Sequence, residues 1–194
     1  MTYGAQLPGT VYFRPEFADQ DWKKPNRAAY MAALAQHRPR MATVLDWERD
    51  EQLPDVLSWA EEAAQYVETV ILIPKVLGGI PRLPRRINGA SVRLGYSVPT
   101  AYGGTELPPW EFAGWPVHLL GGSPHRQIAM AHYLSVVSAD GNYINRKATQ
   151  FCEWWNGRGW KPLRPKQNDA PYEAFRRSCV NVLAAWRALE AQAA

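Results

Sequence analysis

The sequence predicts an α/β protein built on parallel strands, either an open doubly wound sheet or a reduced or incomplete (β/α) barrel. Three observations carry that expectation. Short segments that are apolar throughout alternate with helical segments, the pattern of parallel strands covered on both faces. The chain has 194 residues, whereas an eight-unit barrel takes about 250, so there is room for roughly six strand–helix units. Neither a Gly-x-Gly-x-x-Gly turn after the first strand nor a Gly-x-x-x-x-Gly-Lys-Ser/Thr loop is present, so the usual nucleotide-cofactor signals are absent.

Val11 to Phe13 reads as a short opening strand. Asn26 to His37 is Ala-rich, with Pro25 at its start and Pro39 just past its end, and reads as a helix. MATVLDWE, from Met41, is a buried-strand pattern that ends in acids. Leu53 to Val67 places Leu53, Val56, Leu57, Ala60, Ala64 and Val67 on one helical face, with Pro54 in the first turn. TVILIPK, SVRLGYSVP, WPVHLLGG and LSVVSAD are four further strands. Ser123 and Pro124 suit the N-cap and first turn of a helix running to about Leu134. A helix is expected from Asn142 to Trp155, and a last one from Pro171 to Ala193 with Tyr172, Phe175, Cys179, Val182, Leu183, Trp186 and Leu189 on its packed face. No internal repeat interrupts this order. The expectation is one domain over 1–194, with the β/α core in 1–155 and a basic loop and C-terminal helix in 156–194.

Composition narrows the function classes. No apolar run reaches the roughly 20 residues of a membrane helix, and MTYGAQLPGTVYF lacks a basic region followed by an apolar stretch, so a cytoplasmic protein with no membrane contact is expected. Two cysteines, Cys152 and Cys179, and four histidines show no metal-ligand spacing, so no metal and no cofactor are expected. The net charge of +4 is modest, but its sources are grouped. Arg82, Arg85 and Arg86 share one Pro-rich loop, and Arg158, Lys161, Arg164 and Lys166 lie beside Trp154, Trp155 and Trp160. Cations that neutralise phosphates next to rings that stack on unpaired bases fit a nucleic-acid partner.

In parallel α/β folds, chemistry collects at the C-terminal ends of the strands. Those ends carry Asp46 and Glu48, then Lys75, then Gly95, Tyr96 and Ser97, then His118 with Gly121, Gly122 and Ser123, and finally Ser138, Asp140 and Asn142. Asp140 follows an apolar strand and precedes Gly141, which permits a sharp turn and close approach of a substrate. A carboxylate so placed can attack a sugar C1′ as a base departs, or stabilise the oxocarbenium-like centre; the plain structural reading is an Asp-Gly turn that caps the next helix. Gly121, Gly122 and Ser123 open a helix, where free backbone N–H groups and Arg126 make an anion site for a phosphate.

The run VLDWE, ILIPK, LGYSVPTAYGG, HLLGGSP and SVVSADGN resembles the tRNA-guanine transglycosylase superfamily, and more closely its divergent branch that inserts 7-deazaguanine bases into DNA. The resemblance covers about residues 11 to 155 and rests on order and spacing. It implies a trimmed TIM barrel, with Gly121, Gly122 and Ser123 as the glycine-rich strand end and Asp140, in Ser138-Ala139-Asp140-Gly141, as the aspartate nucleophile. It also implies Asp46 as the aspartate that contacts the base, with Lys75 at the pocket and Gly95, Tyr96 and Ser97 as a loose match to the glycine strand. The family's early Asp-Ser-Gly motif has no counterpart; PEFADQDWKKP stands in its place and offers Asp19 or Asp21. The three-cysteine, one-histidine zinc site of the tRNA-modifying members is also missing, so DNA is the expected partner.

The resulting expectation is an N-glycosidic-bond enzyme acting on a flipped nucleotide. Asp46, with Glu48, Lys75, Gly95, Tyr96, Ser97 and His118, holds the base, and Asp140 engages C1′. Asp19, Asp21 or Glu48 assists the leaving base. A free modified base as second substrate gives exchange, and water gives a DNA glycosylase. Lys75 as a Schiff-base amine is a side possibility. Two other classes stay open: a non-catalytic nucleic-acid-binding module that stacks bases on Trp154, Trp155 and Trp160, and an α/β enzyme of free nucleosides.

Overall fold

A computed structural model describes residues 16–21, 23–101, 103–163 and 170–193. The expected strand at Val11 to Phe13, and Arg164 and Lys166 of the basic loop, lie outside the described residues. The fold is mixed α/β, with six parallel strands in a sheet flanked by helices, a reduced (β/α) barrel, one of the two architectures expected. Its strands are β1 (Phe17–Ala18), β2 (Met41–Trp47), β3 (Thr69–Pro74), β5 (Ala90–Ser97), β6 (Val117–Leu120) and β7 (Val136–Ala139), in the order β1-β2-β3-β5-β6-β7, and β4 (Arg86–Ile87) pairs antiparallel with β5. The chain divides into two compact units, one of residues 1–96 with 105–118, the other of 97–104 with 119–194. The division falls inside β6, not at the expected boundary after residue 155.

In the first unit, α1 (Arg27–His37) and α2 (Leu53–Ala63) cover one sheet face. Asn26 caps α1 by accepting the Ala29 N–H at 3.1 Å, as a side-chain oxygen before a helix is expected to do. The helix stops at Arg38, whose φ of 43° is left-handed. α2 ends at Ala63, short of the expected Val67, because the chain tightens there: Gln65 and Tyr66 donate to Glu62 and Ala63, bonds to the third residue back rather than the fourth.

Register assigns the strand faces. Phe17 pairs with Met41, Met41 with Thr69, and Thr69 with Ser91, so these four and every second residue beyond them share one face. The Phe17 and His118 rings stack at 4.9 Å. A flat sheet would hold β1 and β6 about 19 Å apart, four strand spacings, so the sheet of this unit curls until its first and last strands meet through side chains. Phe17, Met41, Thr43, Arg93 and His118 therefore face inward. Ala42, Val44, Val70, Leu72, Val92 and Leu94 face the opposite way and are buried. Burial on both sides is why β3 is apolar along its whole length.

In the second unit, α3 (Pro124–Met130) and α4 (Tyr143–Phe151) are both shorter than expected. α3 ends in bonds to the third residue back, Ala131 N–H to Ile128 and Tyr133 N–H to Met130. α4 closes at Cys152, whose φ of 47° is left-handed. The helix expected through Trp155 is therefore corrected. Glu153–Trp155 forms β8, which pairs with β9 (Trp160–Pro162) in an antiparallel hairpin. Its turn is built by Asn156, whose Oδ1 accepts the N–H groups of Arg158 and Gly159 at 3.0 and 2.9 Å, with Gly157 at φ 94°.

The last helix, α5 (Ala170–Ala193), forms where expected but packs on a different face. Ala170, Ala174 and Ser178 are buried, while Tyr172, Phe175 and Leu183 of the expected face are exposed. Small side chains four residues apart let α5 approach α4 and β8 closely, and the large apolar residues are left on its flank. The contact is fixed by Ser178, whose Oγ accepts the Trp155 N–H at 2.9 Å and donates to the Ala174 carbonyl at 2.8 Å. Replacing Ser178 with Ala strands a buried backbone N–H, so urea denaturation should show a loss of about 1–3 kcal/mol with an unchanged m-value. A loss below about 0.5 kcal/mol would mean the helix is not held there.

Candidate functional site

Asp140 follows β7 directly, and the second unit arranges its surroundings. The Asp140 N–H donates to the Leu119 carbonyl and the Val98 N–H to the Leu120 carbonyl, which puts Ser97, Leu120 and Asp140 level with one another on one side of their strands. Gly121 donates its N–H to Asp140 Oδ1 at 3.1 Å. Gln127, on α3 and buried, donates both N–H groups of its amide: Nε2 reaches the Gly121 carbonyl at 2.7 Å and the Asp140 carbonyl at 2.6 Å. One amide thus ties the ends of β6 and β7 together, and the carboxylate sits across that tie, half-buried.

Two glycines make the close approach possible. Gly122 has φ 80°, and a Cβ there would lie 2.6 Å from a Val98 methyl. Gly141 has φ 148°, and its Cβ would rest 3.5 Å from the Gly121 backbone. The phosphate cradle expected at Gly121, Gly122 and Ser123 is corrected in part. The Gly121 N–H already serves Asp140, Ser123 caps α3 by accepting the Arg126 N–H, and Arg126 donates to the Pro99 carbonyl.

The first unit carries a separate polar group at its strand ends. β2 holds a bulge: Thr43 is level with Ile71 and Asp46 with Ile73, so three residues of β2 span two of β3. The extra residue turns Asp46 to the same inner face as Thr43, where strict alternation would have placed Leu45. There Lys75 Nζ lies 2.7 Å from Asp46 Oδ2 and 2.9 Å from Glu48 Oε1. Asp19, beyond the end of β1, accepts the Thr43 hydroxyl at 2.6 Å. Asp21 instead organises a turn, with Oδ1 accepting the N–H groups of Lys23 and Lys24.

The other expected contact residues differ in burial and in intramolecular partners. His118 is 1% exposed and packs on Phe17, so it lines the interior and not a base-binding surface. Tyr96 faces outward, buried edge-to-face against Phe112 at 5.2 Å, and Gly95 is buried beside it. Trp155 is 1% exposed and offers no face for stacking. Trp160 tilts against Tyr143 at 5.5 Å, with Lys147 Nζ 5.7 Å from its ring. The three loop arginines are exposed, and each also has a partner within its unit. Arg82 pairs with Asp50 and lies over the Trp47 ring, Arg85 lies 3.5 Å over Trp115, and Arg86 donates to the Gly89 carbonyl.

Sequence reasoning missed Gln127, Thr43 and Trp47. None stands in a motif. Trp47 was legible only as an apolar strand residue, yet its Nε1, like Gln20 Oε1, is buried with no hydrogen-bond partner among the described residues. Among the described residues no cluster of three His, Cys, Asp or Glu side chains could hold a metal ion, and no helix is long and apolar enough to cross a membrane.

The ion triad sets the protonation of Lys75. Burial disfavours its charge, but the hydrogen bonds and charges of Asp46 and Glu48 outweigh that and hold the ammonium above the ordinary lysine value. A raised folded-state value stabilises fully below the unfolded value and is lost as pH rises through the folded one. The stability gap between wild type and Lys75→Met should therefore hold steady from neutral pH up to the ordinary value of 10.5 and narrow only above it. Denaturation curves at stepped pH check this, and a gap that narrows between about pH 7 and 9 would contradict the triad.

No curated protein and no solved structure matches the chain. A family profile matches residues 6–187, nearly the whole length. The chain belongs to DUF6610, a family of unknown function.

Proposed function

We propose that this protein breaks or exchanges the N-glycosidic bond of a nucleobase in nucleic acid, with Asp140 as the carboxylate that acts at the anomeric carbon. The observation that carries the reading is the hold on Asp140: Oδ1 accepts the Gly121 N–H at 3.1 Å while Gln127 bonds the carbonyls of both residues. A nucleophile or oxocarbenium stabiliser needs a carboxylate held in a fixed direction, and a backbone donor at a strand end supports that. The resemblance to DNA 7-deazaguanine transglycosylases points to the same residue.

In this reading the nucleotide is flipped out of its strand, C1′ gains bonding to Asp140 Oδ as the bond to the base breaks, and the base leaves with a proton. Attack by a free base then completes exchange, and attack by water releases an abasic site. The competing reading, a nucleic-acid-binding module without chemistry, is favoured by the second unit's charge: ten Lys and Arg against five Asp and Glu.

The experiment is mass spectrometry of bases released from natural and modified DNA and RNA, with and without added free 7-deazaguanine. Wild type should release or exchange a base, and Asp140→Asn should lose about a thousandfold in rate while keeping its thermal melting and its nucleic-acid binding. Full activity of Asp140→Asn, or no release and no exchange by wild type on any of these substrates, overturns the reading.

A further inference from the structure

Within the second unit, several exposed cations lie on the last hairpin and the helix that follows it. The unit carries a net +5 and the first unit, with twelve Lys and Arg against thirteen Asp and Glu, a net −1. The β8–β9 hairpin and the first turns of α5 present part of this excess together. Register places Lys161 directly opposite Trp154, hence on the same hairpin face. Arg177 of α5 lies over the Trp154 ring, its guanidinium carbon 5.5 Å from the centroid. Arg158 stands at the hairpin tip, in the turn that Asn156 builds. All three cations are exposed, as is Arg176. Glu173 is the acid they meet, and it is shared: Arg176 and Arg177 both bond it, at 2.8 and 2.7 Å, and hold its carboxyl down to about 2. Among the described residues, Arg158, Lys161, Arg176 and Arg177 against Glu173 leave an excess of three positive charges, and Glu153 of β8 is taken up by Lys147.

We propose that this hairpin-and-helix surface grips the phosphate backbone of double-stranded nucleic acid, by charge and without reading bases. The rings argue against stacking as the mode. Trp155 is buried, Trp160 is packed against Tyr143 and Lys147, and Arg177 covers a face of Trp154. A projecting turn with a guanidinium at its tip suits a groove flanked by phosphates, and fixed cations release condensed counterions when they dock. The inference shares the nucleic-acid partner of the proposed function but does not depend on the chemistry assigned to Asp140.

The test is fluorescence anisotropy of the full chain with a labelled 20-base-pair duplex, an equally long single strand, and a duplex carrying a run of abasic sites, each over a salt series. Wild type should bind both duplexes alike and more tightly than the single strand. Each phosphate contact contributes about 0.9 to the slope of log affinity against log salt. Arg158→Gln with Lys161→Gln should therefore flatten the slope by about 2 and weaken binding about tenfold or more at moderate salt. Arg40→Gln, an exposed change in the first unit, should leave both unchanged. Asp140→Asn should also bind as wild type, so a failed chemistry and a failed grip give different results. No duplex binding by wild type, an unaltered slope in the double variant, or a preference for the single strand or for intact bases over abasic ones overturns the proposal.

Discussion

A parallel sheet covered on both faces leaves little room for chemistry along its strands, and the fold depends on that constraint. β3 is buried at every position, and neighbouring strands admit polar side chains mainly on the curled inner face. There Thr43 and His118 are buried. Polar groups therefore emerge where the strands end. Backbone groups at those ends lose their ladder partners and need others, which turns each strand end into a place where side chains and main chain must be arranged together.

The two units meet that need differently. In the first, an inserted residue in β2 swings Asp46 to the inner face, and Lys75 takes it up together with Glu48 in a three-charge group. In the second, Gln127 satisfies the carbonyls of Gly121 and Asp140, and Asp140 turns its own carboxylate back onto the Gly121 N–H. The first arrangement compensates charge with charge. The second directs a carboxylate through a backbone N–H and a side-chain amide.

Much of this was legible in the sequence because it follows from local pattern. Apolar runs gave the strands, Asn26 and Ser123 gave helix starts, and Asp140 stood out as an acid between an apolar strand and a glycine. What escaped was decided by partners distant in the chain. Periodicity carries no trace of the β2 bulge, so the direction of Asp46 could not be read. Gln127 looks like any polar helix residue until the ends of β6 and β7 are brought beside it. Trp154 and Trp155 continue the helical spacing of α4, yet Cys152 ends that helix and the Asn156 turn claims them for a hairpin. On α5 the eye follows Tyr172, Phe175 and Leu183, whereas close packing selects Ala170, Ala174 and Ser178.

The most direct measurement is a search for a bond between the protein and a sugar. A duplex carrying a 2′-fluorinated target nucleotide slows breakdown of any glycosyl intermediate, because the fluorine destabilises the oxocarbenium-like transition state. Intact-mass analysis after rapid quenching, followed by peptide mapping, should find the nucleic acid attached to the peptide that contains Asp140, and Asp140→Asn should show no adduct. An adduct on another residue, or base release from that duplex by a protein whose Asp140 stays unmodified throughout turnover, would contradict the account.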